Sequence, residues 1–105
     1  MGVTKFGYEN LELCEFSVYA TNKEPLPWEK NVALGKQTWQ IDTTFFGWSK
    51  RAVDGRSYGY GIFNRCTHTR AGPNRWWMVD LGKEERLTRV RLYSQVTSSR
   101  YCKTQ

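Results

Sequence analysis

Only one histidine occurs in these 105 residues, His68, and it stands in the run Cys66-Thr67-His68-Thr69. A loop histidine of this kind can be satisfied by hydrogen bonds to neighbouring backbone, and any further chemistry depends on the groups the fold brings beside it. Upstream, Ala52-Val53-Asp54-Gly55 puts a carboxylate in an Asp-Gly turn, which suits either a hard cation or a simple turn cap. A lone histidine with Asp54 or Asp80 and scattered serines and threonines is a composition without a catalytic spacing, and no paired-carboxylate pattern accompanies it. The chain therefore reads as a binding module and not as an enzyme. Cys14, Cys66 and Cys102 permit one bridge and one leftover thiol, and their wide spacing fits neither a zinc knuckle nor a redox pair.

The elements that must position these residues are strands. Trp77, Val79 and Leu81 alternate with Trp76, Met78 and Asp80, as a half-buried strand requires, and Gly82-Lys83-Glu84-Glu85-Arg86 follows as a polar turn. Val90 and Leu92 then face one way and Arg89, Arg91 and Tyr93 the other, which predicts a strand with one wet face. Leu11, Leu13, Phe16, Val18 and Tyr19 form an earlier strand whose apolar phase slips between Leu13 and Phe16, the mark of a bulge. Asn31 to Lys36 reads as a short strand closing in a turn, and Thr38-Trp39-Gln40-Ile41 as another extended piece. Glycines at 55, 59 and 61 punctuate a long loop, and Thr21 to Pro27, with two prolines, reads as a linker. No segment sustains helical periodicity, so the class is all-β.

A chain of this length holds one domain. Its 15% aromatic residues either fill a β core or make flat platforms for sugars and bases, and the count does not decide between those uses. The net charge of +6 favours anionic partners such as sulfated or sialylated glycans and acidic lipid; no nucleic-acid motif accompanies it, so nucleic acid is not expected. No apolar stretch is long enough to span a membrane, and the first twenty residues lack the pattern of a secretion signal. A disulfide would imply an oxidising compartment, which fits a fragment of a longer secreted chain.

The run from Asn31 to Tyr93 resembles the F-type lectin (fucolectin) branch of the discoidin, or coagulation-factor type C, superfamily. Asn31-Val32-Ala33-Leu34-Gly35-Lys36 is similar to the family's opening strand, Lys50-Arg51-Ala52-Val53-Asp54-Gly55 to its calcium-side turn, Cys66-Thr67-His68-Thr69 to its sugar-side loop, and Trp76 to Gly82 to its central strand. Leu11 to Tyr19 resembles the family's final strand, yet here it comes first. The resemblance implies a jelly-roll β-sandwich, here incomplete, that binds L-fucose on glycans outside the cell. It divides the chain into 1–20, the last strand of a preceding repeat or a permuted last strand; 21–30, a linker; and 31–105, the N-terminal part of a lectin domain. Adjacent repeats of the same chain, or a homo-oligomer, would then be its protein partners.

The resemblance also implies site residues. His68 keeps the family's sugar-contacting position, but the family's spacing from it reaches Gln95, Thr97 and Cys102, where an arginine, an aspartate and a basic residue are expected. Ser98 and Ser99 replace the adjacent cysteine pair that covers the sugar's methyl group, and Arg100 and Lys103 lie near the motif without matching it. The sugar motif is thus degenerate, and the alternative is an adhesion module for protein, sulfated glycan or anionic lipid. Tyr58, Tyr60 and Phe63 offer stacking surface or core. For a structural Ca2+, Asp54 and Glu15 would give carboxylates, and Arg51, Arg56, Arg65 and Cys14 main-chain carbonyls. Three arginines around a dication oppose it by charge. Finally, the resemblance pairs Cys14 with Cys66.

Overall fold

The computed structural model describes residues 1–21, 30–55 and 66–94, and the backbone of 101–103. Two antiparallel sheets face each other. One has the order β4-β5-β1-β7, built from β4 (Gln37–Gln40), β5 (Arg75–Asp80), β1 (Gly2–Lys5) and β7 (Tyr101–Lys103); the other is β3-β2-β6, with β3 (Lys30–Asn31), β2 (Glu15–Ala20) and β6 (Leu87–Tyr93). A single 3-10 turn, Ser49–Val53, is the helical element among the described residues. The all-β, discoidin-like class expected from the sequence therefore holds.

Alternation explains the core. Trp77 and Val79 of β5 are buried while Met78 and Asp80 face out, and from the opposite sheet Phe16 and Val18 bury their side chains against them. The Phe16 ring meets Trp77 edge to face at 5.0 Å and 64°, and the Trp77 indole N–H donates to the Ser49 carbonyl at 2.9 Å. One side chain thus joins both sheets and the 3-10 turn. Ala52 and Val53 close the core from that turn.

Residues 1–20 contribute to both sheets. Val3, fully buried in β1, lies opposite Trp77, and β2 is the centre of its sheet between β3 and β6. The strand β1 has no counterpart in the sequence reading, because four residues with one large apolar side chain show no periodicity.

Three expectations change in detail. The phase slip between Leu13 and Phe16 is a change of partner and not a bulge: Leu11 and Leu13 bond to Thr67 and Thr69, whereas Glu15 onward pairs with β6. The register irregularity lies instead between Tyr19 and Ala20. Only Lys30–Asn31 is strand in the opening segment, since Asn31 Oδ1 accepts from the backbone N–H of both Val18 and Ala33 and turns the chain. The strand β6 is wet on more than one face, with Val90 39% exposed, because it is the edge of its sheet among the described residues. Of the expected linker at 21–30, residues 22–29 lie outside the described residues, and Lys30 already belongs to β3.

Candidate functional site: a disulfide-clasped loop and its aromatic neighbour

Cys66 is bonded to Cys14, and both are fully buried against Tyr93. From this staple the loop runs antiparallel to Leu11–Cys14. The Thr67 and Thr69 amides donate to the carbonyls of Leu13 (2.8 Å) and Leu11 (3.1 Å). In return the hydroxyls of Thr67 and Thr69 accept from the amides of Leu13 (2.9 Å) and Leu11 (2.8 Å). Threonines at alternate positions are what this clasp needs, because a side-chain oxygen supplies an acceptor that the ladder itself does not reach.

His68 sits between them with 2% of its surface exposed. Its Nδ1 lies 3.2 Å from Glu12 Oε2, an ion pair when the ring is protonated, and Glu12 Oε2 also accepts from Asn10 Nδ2 at 2.8 Å. Phe45 covers the ring edge-on at 5.7 Å between centroids. The backbone of His68 is held as firmly, donating to Gly47 O at 3.0 Å and accepting from the Thr44 amide at 3.0 Å. Gly47 must be glycine here, since a Cβ would come 2.6 Å from His68 Cβ and 2.9 Å from the Thr67 carbonyl carbon.

That contact pins a loop the sequence reading did not single out. Gln40 Nε2 donates to Thr43 Oγ1 and Gly47 O, both at 2.9 Å, and ties its two ends together. Between them Phe45 (φ 54°) and Phe46 (φ 57°) take left-handed backbone conformations that bulky residues rarely adopt, and they project 69% and 73% exposed. Trp48 is 48% exposed and packs edge-on to Phe46 at 6.2 Å. The available signal was the cluster Phe45-Phe46-Gly47-Trp48 in a segment without strand periodicity. At the base of the loop, Asp42 accepts from the Arg70 amide (2.8 Å) and the Arg75 guanidinium (2.6 Å). Burial pushes the Asp42 carboxyl up, but these hydrogen bonds and the charges of Arg75 and Arg70 outweigh it and hold the group below its ordinary value.

The expected metal ligands converge in part. The amide of Gly55, next to Asp54, donates to Glu15 Oε2 at 3.1 Å, so the turn and β2 meet at a carboxylate that is 5% exposed. Asp54 is exposed and Arg51 half-buried on the 3-10 turn. Two carboxylates at one corner are the right donors for a hard cation, although the described residues hold no cluster of three or more acidic, histidine or cysteine side chains. Arg56 and Arg65, and on the sugar side Gln95, Thr97 and Arg100, lie outside the described residues, as do Tyr58, Tyr60, Phe63, Ser98 and Ser99.

Comparison with known proteins matches residues 51–105, more than half of the chain, to the family described as NedA-like, galactose-binding domain, of the F5/F8 type C class. The chain belongs to this family. Among its curated relatives, Fucolectin-6 of Anguilla japonica is 36% identical over 67 residues, covering 59% of this chain. The chain spans about a third of that relative, with 36% of its length covered. No solved structure matches. The likeness to the fucolectin branch and the Cys14–Cys66 pairing are both borne out.

Proposed function

We propose that this chain is a carbohydrate-binding, lectin-like module of the extracellular space, in which His68 braces the ligand-facing loops and does not itself touch sugar. The reading rests on one observation above others. The histidine ring is 2% exposed and faces Glu12, while the loop bonded to its backbone holds Phe45, Phe46 and Trp48 out in water. Exposed aromatic faces beside hydroxyl and amide groups suit the apolar face of a pyranose ring and its hydroxyls. A relative named a fucolectin makes fucosylated glycans the first ligands to try, and a buried disulfide agrees with secretion.

The test is a glycan array probed with the disulfide-intact protein, repeated with free L-fucose as competitor. Saccharide binding is expected; competition by fucose would mark a residual family site, and its absence a displaced one. An array with no saccharide bound, in a protein shown to be folded, would overturn the reading. The second reading, adhesion to an anionic lipid surface, draws on the projection of Phe45 and Phe46. Sedimentation with phosphatidylserine vesicles but not with phosphatidylcholine vesicles would favour it. A calcium ion at the Glu15 and Asp54 corner would tie the turn to β2, with no part in contacting the ligand.

A further inference from the structure

Along β4, a cleft of about 640 Å³ has Trp39 and Trp48 among its lining residues. Both tryptophans are large apolar side chains left 40% and 48% exposed. A burial argument alone does not account for them, since each indole would contribute stability if turned inward. Half-buried Thr38 and Ser49 also line it, and their hydroxyls share a hydrogen bond of 2.7 Å and keep further donor and acceptor capacity. Lys36 and Lys50 are exposed, and no carboxylate is among the described residues lining the cleft.

Three features hold this arrangement in place before any ligand arrives. Trp39 is carried by β4, paired opposite Met78 of β5. Trp48 immediately precedes the 3-10 turn and is braced by Phe46. The intervening loop is fixed by Gln40 and by the close approach of Gly47 to His68. Preorganised aromatic walls lose little conformational entropy on binding, which is what a ligand rich in hydroxyls and poor in apolar surface requires.

We infer that the cleft lined by Trp39 and Trp48 is a binding site for an acidic oligosaccharide, whose sugar rings stack on the indoles and whose sulfate or carboxylate groups pair with Lys36 and Lys50. The inference rests on the carbohydrate reading above and names a site and a ligand class for it. The charge decides the class. A neutral sugar brings the two ammonium groups no counter-charge, and none of the described residues lining the cleft is a carboxylate, while the Thr38 and Ser49 hydroxyls distinguish it from an apolar wedge built for lipid.

The experiment is a tryptophan-fluorescence titration of the intact protein with a heparin hexasaccharide, at low and at physiological salt. Wild type is expected to bind with an affinity that weakens as salt rises. Trp39→Ala and Trp48→Ala, both at exposed positions, should each weaken binding roughly tenfold, the usual cost of truncating an aromatic anchor. For the double Trp39→Ala/Trp48→Ala variant, calorimetry replaces fluorescence. Lys36→Gln with Lys50→Gln should weaken binding and flatten its salt dependence, whereas Lys30→Gln with Arg91→Gln, an equal loss of charge on the other sheet, should leave it unchanged.

Wild-type affinity in the double tryptophan variant would overturn the site, as would an equal loss in the Lys30/Arg91 control. Tighter binding of a neutral hexasaccharide would overturn the ligand class. Phosphatidylserine vesicles bound in place of any oligosaccharide would overturn it in favour of lipid. Array binding that survives the double tryptophan variant refutes this cleft while leaving the carbohydrate reading standing, so the two failures can be told apart.

Discussion

Reducing the Cys14–Cys66 bond should cost this domain a large share of its stability. The bond closes a loop with a sequence separation of 52. In the chain-entropy description a loop of that size restricts the unfolded ensemble by about 4 kcal/mol. Small domains are stable by only roughly 5 to 15 kcal/mol, so the loss is a substantial part of the whole. At the unfolding entropy usual for a chain of this length it corresponds to a fall in Tm of roughly 15 to 20 °C. The four backbone and threonine hydrogen bonds between Leu11–Leu13 and Thr67–Thr69 survive reduction, so the clasp weakens without disappearing. Scanning calorimetry of oxidised and reduced protein isolates the effect, because both states keep the same side chains. Mass spectrometry after alkylation checks the starting state: one labelled thiol of the three cysteines is expected without reductant, and three would remove the bridge. A Tm that falls by less than about 4 °C, equivalent to about 1 kcal/mol, would refute the entropic reasoning.

Gly47→Ala places its new Cβ 2.6 Å from His68 Cβ, and relieving that contact should cost about 1 to 3 kcal/mol of stability; an unchanged Tm would show that the loop moves aside freely. Asp42 has a carboxyl held below its ordinary 3.8, so the arginine pair stabilises the fold above that pH and loses its contribution as pH falls through the lower folded value. Asp42→Asn should accordingly lower Tm at neutral pH, by the equivalent of about 1 kcal/mol, and the gap to wild type should close on acidification below the carboxylate range; a gap independent of pH would contradict the assignment. Calcium at the Glu15 and Asp54 corner should raise Tm by the equivalent of about 2.7 kcal/mol when supplied at roughly a hundredfold over its Kd, and Asp54→Asn should abolish the rise. No response of the wild type to calcium or to its chelation would remove the metal.

How much of this was legible in the residues depends on what each pattern encodes. Period-two alternation separated Trp77 and Val79 from Met78 and Asp80 on the two faces of one strand, and the structure buries the first pair and exposes the second. It does not report partners, which is why the exchange of Thr67 and Thr69 for β6 looked like a bulge in one continuous strand. A count of aromatics is also blind to side. Phe16 and Trp77 meet in the core from two strands, whereas Phe45, Phe46 and Trp48 stand in water on a loop where Phe45 and Phe46 take left-handed backbone.

The fate of His68 shows why the scaffold is easier to read than the site. Every residue of Cys66-Thr67-His68-Thr69 is held by structural contacts. The cysteine is bonded to Cys14, the two threonine hydroxyls accept from the amides of Leu13 and Leu11, and the ring lodges against Glu12 and Phe45. Those contacts would hold the four residues in place whether or not a sugar ever bound beside them. Retention of the motif therefore identifies the fold without certifying the ligand. A histidine that faces sugar and one that faces a carboxylate look identical in sequence, because the difference lies in Glu12, in a segment far away along the chain. On the reading proposed above, ligand contact shifts to the aromatic loop and to the cleft that Trp48 and Trp39 line.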